Sequence, residues 1–213
     1  GRMEADMNAY GEMEGYFMSA QHGGHVDMIR FDYKSKEDMF DGHSYNKGGR
    51  ILNMLRSYVG DDAFFASLKL YLTENAHKSA EIHDLRLAFE ETTGEDLNWF
   101  FNQWFLSSGH PVLKYEQEYN TETKKLTVSI TQKQDTEKWP VYKLPIYIDL
   151  YVGGKPRREL VWVENVENTF EFNASSQPNL VNIDAKKVLL AKKTDKKSLE
   201  QSIYQLNHAG LWL

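Results

Sequence analysis

The sequence contains no cysteine, which excludes disulfides and thiolate metal sites and leaves the cellular compartment undetermined. No run approaches the about eighteen uninterrupted apolar residues that a membrane-crossing helix requires, so no membrane span is expected in this segment. The start, Gly1-Arg2-Met3-Glu4-Ala5-Asp6, offers neither an initiator methionine nor an apolar signal region. The chain is therefore expected to be an excerpt of something longer. Several chemical signatures are missing as well. There is no H-E-x-x-H, which would set two imidazoles and a general base on one helix face. Gly-rich phosphate loops and G-x-S-x-G are absent, and no Ser, His and Asp stand in a triad-like arrangement.

What the chain holds is enough to fold. Hydrophobic residues make up 41% of its 213 positions and charged residues 26%, the balance of a real core with an ordinary surface. The length exceeds one average domain. The net charge of −6 conceals an asymmetry. Residues 1–108 carry 10 Lys and Arg against 18 Asp and Glu, whereas residues 109–213 carry 15 against 13. An acidic front half has no clustered basic face for phosphates, so nucleic acid is not expected as a partner. The lysines Lys186, Lys187, Lys192, Lys193, Lys196 and Lys197 read as a solvated strand edge and linker, since lysine blunts pairing at sheet edges.

The front half has helical periodicity with clear punctuation. Residues 3–20 predict a helix that stops near Gly23-Gly24, and residues 25–42 show no sustained period and read as a loop. Ile51, Leu52, Leu55 and Val59 predict a second helix ended by Gly60. Asp61 is placed to cap a third, with Phe64, Phe65, Leu68 and Leu72 on its apolar side. Ser79 precedes a fourth, carrying Ile82, Leu85, Leu87 and Phe89 and closed by Gly94. Asp96 opens the last, where Trp99, Phe100, Phe101, Trp104 and Phe105 predict a helix buried on nearly every face.

After Gly109-His110-Pro111 the period switches to two. Leu126, Val128 and Ile130 alternate with polar residues, as do Ile146, Ile148 and Leu150, and Gly153-Gly154-Lys155 predicts a hairpin turn. Short strands over Leu160–Val163, Thr169–Phe172 and Leu180–Ile183 complete a β-sandwich pattern. Helical spacing returns with Leu199, Ile203 and Leu206. The fold class is thus α+β and multidomain, an all-α N-terminal half followed by an antiparallel β-sandwich and a terminal helix. The expected domain boundaries are 1–110, 111–193 and 194–213.

Histidine is the first place to look for chemistry. His22 and His25 form H-x-x-H, a spacing that can chelate a metal, but they flank Gly23-Gly24 with no Glu or Cys at ligand spacing. They read as exposed loop residues, and His83 and Asp84 as helix-surface or capping residues. The segment Ser44-Tyr45-Asn46-Lys47-Gly48-Gly49-Arg50-Ile51-Leu52 is more specific. On residues alone, Tyr45 packs against the helix it introduces and Gly48 permits a close helix crossing. Yet Tyr45-Asn46-Lys47-Gly48 resembles the Tyr-x-Lys-Gly helix start of the zinc aminopeptidases of the aminopeptidase N family. Asn98-Trp99-Phe100-Phe101-Asn102-Gln103-Trp104, followed by Gly109-His110-Pro111, is similar to that family's aromatic helix and Gly-x-Pro break before a β-sandwich. Tyr204-Gln205-Leu206 is like the opening of its final helical domain.

The resemblance implies that residues 1–110 end a thermolysin-like catalytic domain, and that a helical C-terminal domain begins at 194. It implies a parent that uses zinc, held by two His and a Glu, to hydrolyse N-terminal residues from peptide substrates, with Tyr45 donating a hydrogen bond to the oxyanion. The zinc ligands and the general-base Glu precede Tyr45 in that family and have no match here. No metal or other cofactor is therefore expected on this fragment, which is expected to be inactive alone. Met3-Glu4 and Glu12-Met13-Glu14 resemble motif pieces only superficially and read as helix-surface glutamates. The rival expectation is a non-catalytic binding module, a helical scaffold with an adhesion-like sandwich.

Overall fold

Met13, Tyr16, Phe17 and Ala20 recur at the spacing of one helix face, and all four are buried. They lie on α1, Arg2–Gly23, the first element of the computed structural model, which describes residues 2–194 and 197–208. The chain divides into two compact units, Gly1–Gly109 and His110–Leu213. In the first, α1 is followed by a long connection holding one 3₁₀ turn, Lys36–Met39, and then by α2, Gly48–Val59. Next come α3, Asp61–Glu74, α4, Ile82–Thr93, and α5, Asn98–Trp104.

Ile51, Met54 and Leu55 of α2, Phe64 of α3, Phe89 of α4 and Phe100, Phe101 and Trp104 of α5 form the core of this unit. The rings interlock. Phe64 meets Phe89 edge-on at 5.6 Å between centroids, and Phe101 stacks on Phe105 at 5.0 Å. The aromatic α5 is buried on most sides, but Asn98 and Asn102 remain exposed. Two caps differ from the sequence expectation. Asp61 is the first residue of α3, not its cap, and its carboxylate holds Arg56 of the preceding helix at 2.8 Å. The cap of α4 is Glu81, not Ser79, because Asp84 accepts the N–H of Glu81 at 2.7 Å in a reciprocal capping box. Gly94 closes α4 in the left-handed region, φ 70°, as its position suggests.

The second unit holds two sheets. Strands β1, Val112–Asn120, β2, Lys125–Gln132, β3, Leu144–Val152, β4, Lys155–Val163, β5, Glu167–Asn173, β6, Leu180–Ile183, and β7, Lys192–Thr194, precede α6, Leu199–His208. One sheet runs β5-β2-β1-β7 and the other β4-β3-β6. Leu126, Val128 and Ile130 of β2 and Leu144, Ile146, Ile148 and Leu150 of β3 are all buried, in keeping with the period-two pattern. Val152 pairs with Lys155, so the β3–β4 turn is the two-residue loop Gly153-Gly154, both at positive φ.

Pairing is antiparallel except at β7, which runs parallel to β1 as an edge strand. Lys192 and Lys193 lie on that edge, and Lys193 is tied to the carboxylate of the buried Asp184. Lys196 of the lysine run falls outside the described residues. A buried amide anchors the connection from β2 to β3. Gln132, 2% exposed, donates through Nε2 to the backbone oxygens of Tyr142 and Asn165 and accepts from Tyr142 N–H and Gln134 Nε2. All four of its hydrogen-bonding sites are filled, which makes so deep a polar burial tolerable.

Candidate functional site

Between the connection and α2, the backbone from His43 to Lys47 forms a single π-helical turn that continues directly into the helix. Such turns insert one extra residue and concentrate at functional sites. Direction separates the side chains. His43 and Lys47 are buried, whereas Tyr45 between them is 61% exposed.

The turn is seated on α1 by close approach. A Cβ on Gly42 would lie 2.8 Å from Ser19 Cβ and 2.9 Å from its Oγ, so only glycine fits there. A Cβ on Gly15 would come within 3.1 Å of Asn46 Nδ2, which itself donates to the carboxylate of Glu12. Glu12 is thus a surface glutamate with a structural partner.

Asp41 organises the turn's N-terminal edge. Its Oδ1 accepts the N–H of His43 at 3.0 Å and of Ser44 at 2.8 Å, and its backbone oxygen accepts the N–H of Tyr45 at 3.1 Å. Arg30 grips the same carboxylate through both terminal nitrogens, each at 3.0 Å, and also donates to Ser44 Oγ and to Asp38 O. Burial alone would raise the Asp41 carboxyl, but Arg30 and the Ser44 N–H outweigh it and hold it below its ordinary range.

Beneath the turn lies a buried polar layer. Lys47 Nζ donates to Ser107 O at 3.2 Å and sits 5.8 Å from the centre of the Tyr16 ring. Tyr16 in turn donates its hydroxyl to Gly109 O at 3.1 Å and meets His43 edge-on. Burial pushes the Lys47 ammonium down to about 8, with Asp27 acting weakly in the other direction. Burial likewise lowers the His43 imidazole, and Lys47, Arg30 and His25 reinforce this against Asp41.

Tyr45 therefore projects from a platform fixed on two sides. Its ring lies 5.9 Å from that of Phe40, which is 68% exposed. Its phenolic hydroxyl has no hydrogen-bond partner among the described residues. A phenol so held is a ready donor to an oxygen brought against it.

Of the histidine candidates, His25 is half-buried and close enough to act on His43, whereas His22, His83 and Asp84 do not join the turn. His22 is exposed at the end of α1, its Nδ1 2.8 Å from Met18 O. His83 is exposed, and Asp84 is occupied by the helix cap. Among the described residues no group of three or more His, Asp or Glu is placed to hold a metal ion, so this part of the chain does not fit a zinc site. The sequence motif singles out Tyr45 but not Arg30, Asp41 or Tyr16. Asp41-Gly42 just before Ser44 carried a local signal, an Asx-type turn. Arg30 had none, since it sits in an aperiodic connection.

Comparison with known proteins agrees with the motif reading. Residues 15–104 match the model of the Peptidase family M1 domain. The Aminopeptidase N of Escherichia coli (strain K12) is 29% identical over 150 residues, covering 63% of this chain and 17% of that protein. Tricorn protease-interacting factor F2 of Thermoplasma volcanium is 34% identical over 124 residues, 53% of this chain and 15% of that protein. The crystal structure of Legionella pneumophila aminopeptidase A in complex with aspartic acid shares the fold, with a TM-score of 0.75 at 17% identity, over 94% of this chain and 25% of that one. The chain spans less than a fifth of the length of these two curated relatives.

Proposed function

We propose, on the premise that this chain belongs through residues 15–104 to the M1 peptidase family, that it is the part of a zinc aminopeptidase supplying the hydroxyl of Tyr45 to the scissile peptide carbonyl. The observation that carries this reading is the opposition within one turn, Tyr45 exposed between the buried His43 and Lys47. An exposed phenol on a rigid base costs little to hold ready and gains most when negative charge develops on the oxygen before it. The substrates are peptides with a free N-terminus, a class carried over from the relatives named above.

In the full-length protein a bound zinc would supply Lewis-acid activation of water, held by residues other than the described ones. What these residues contribute is separable from that. Tyr45 donates a proton in a hydrogen bond and does not give it up. Gly42 and Gly15 let the turn seat against α1, and Lys47 and Tyr16 anchor it from below. In the full-length protein Tyr45→Phe is expected to lower kcat by about 10²–10³ with KM changed less than about threefold, since the donor acts on the oxyanion rather than on the bound substrate. Unaltered turnover would remove Tyr45 from the mechanism. The chain alone is expected to bind no stoichiometric zinc after dialysis and to release nothing from amino-acid amides. Zinc at one equivalent by elemental analysis would contradict this.

A further inference from the structure

The Tyr45 turn does not hold its shape by itself. Three successive N–H groups, those of His43, Ser44 and Tyr45, all end on oxygens of Asp41, two on its carboxylate and one on its backbone carbonyl. The carboxylate is then fixed from the far side by Arg30, whose guanidinium also reaches Ser44 Oγ. Arg30 and Asp41 are only 15% and 28% exposed, so the pair is partly shielded from water and its geometry is less screened than that of a surface pair. A planar fork on a carboxylate that itself caps a turn leaves little freedom to the residue that follows. That residue is Tyr45.

We infer that Arg30 and Asp41 are positioning residues for the Tyr45 hydroxyl, forming a clamp between the 25–42 connection and the π turn. The inference rests on the catalytic reading of Tyr45 given above. Neither side chain touches the substrate in this scheme; both act through the turn. Small displacements of an oxyanion donor are costly because its contribution depends on distance to an oxygen that exists only in the transition state. The clamp should therefore appear in kcat and not in KM, and only while the phenol is present.

The experiment uses the full-length protein, with Asp41→Ala, Asp41→Asn and Arg30→Lys each made in the native background and in Tyr45→Phe. Asp41→Ala removes the side-chain acceptor, whereas Asp41→Asn keeps an oxygen for the His43 and Ser44 N–H groups. Arg30→Lys keeps the charge but loses the fork. The expected result is a fall in kcat of about tenfold for Asp41→Ala and somewhat less for Arg30→Lys, with KM within about twofold and partial rescue in Asp41→Asn. In the Tyr45→Phe background the same substitutions are expected to change kcat by less than about twofold. On the present chain, hydrogen exchange at the amides of Ser44 and Tyr45 should quicken at least about tenfold in Asp41→Ala while exchange in α4 is unchanged. Equal losses of kcat in both backgrounds would overturn the inference, because the residues would then act on something other than Tyr45. So would a Tyr45→Phe defect without any defect in Asp41→Ala or Arg30→Lys. Full turnover in Tyr45→Phe would instead overturn the catalytic reading, and the clamp's catalytic meaning with it.

Discussion

The ammonium of Lys47 donates to the backbone oxygen of Ser107 at 3.2 Å, across sixty residues of sequence and at 0% exposure of the lysine. A single carbonyl is a poor substitute for a hydration shell, and burial lowers the affinity of Lys47 for its proton. The contact nevertheless ties the start of α2 to the segment that leaves α5.

A pH dependence of stability follows from this burial. In the folded chain Lys47 titrates at about 8 against an ordinary lysine value of 10.5, so between those limits the unfolded chain binds more protons than the folded one. Stability contributed at this site therefore rises with pH through that window, and the penalty of a buried charge is present in full below it. Relative to Lys47→Met, the native chain is expected to gain about 2 kcal/mol in unfolding free energy between pH 7.5 and 9.5. Urea denaturation of both proteins at the two values measures this. Above pH 10 the raised phenol of Tyr58, pushed up to about 12 by burial and by Glu95, works the opposite way, because unfolded tyrosine ionises first.

The seating of the turn on α1 gives a second test. Gly42→Ala places a methyl against Ser19 and is expected to destabilise the chain by about 1–3 kcal/mol. Its φ of −64° suits alanine, so the cost is steric and not conformational. Ser19→Gly should recover most of the loss in the double variant, after allowing for its own helix penalty of roughly 1 kcal/mol. A loss that Ser19→Gly leaves untouched would place the clash elsewhere.

In the second unit the cross-strand pair Asp149–Arg158 separates two kinds of ion pair. Arg158 binds the nearly buried carboxylate through two nitrogens, at 2.6 and 2.7 Å, between directly opposed residues of β3 and β4. Arg158→Met is expected to cost about 1–3 kcal/mol because it strands Asp149 away from water. Lys125→Met, which breaks an exposed pair with Glu171, should cost less than about 1 kcal/mol. Equal effects in thermal or urea unfolding would show that burial does not set the difference.

Much of this architecture was legible in the sequence. Helical spacing locates α1 to α5, alternation locates β2 and β3, and Gly153-Gly154 marks the β3–β4 hairpin, because these signals are local. The resemblance of Tyr45-Asn46-Lys47-Gly48 to a family motif drew attention to Tyr45. The cap differs from expectation where two polar residues stand before one helix start: Ser79 has the usual capping hydroxyl, but Glu81 with Asp84 forms the capping box. Strand β7 is only three residues long and two of them are lysine, so its parallel pairing with β1 left no pattern to read.

The sequence by itself determined the two-part character of the chain, since an apolar stripe must be buried whichever neighbours it finds. Only the tertiary structure decided that Tyr45 faces outward while Lys47, two residues on, is enclosed with Tyr16 and Ser107. It also decided that Arg30, from a segment without periodicity, closes on Asp41. Those facts depend on contacts between residues distant in sequence, where the π turn's extra residue rotates each side chain away from its α-helical direction. No local propensity records such a rotation.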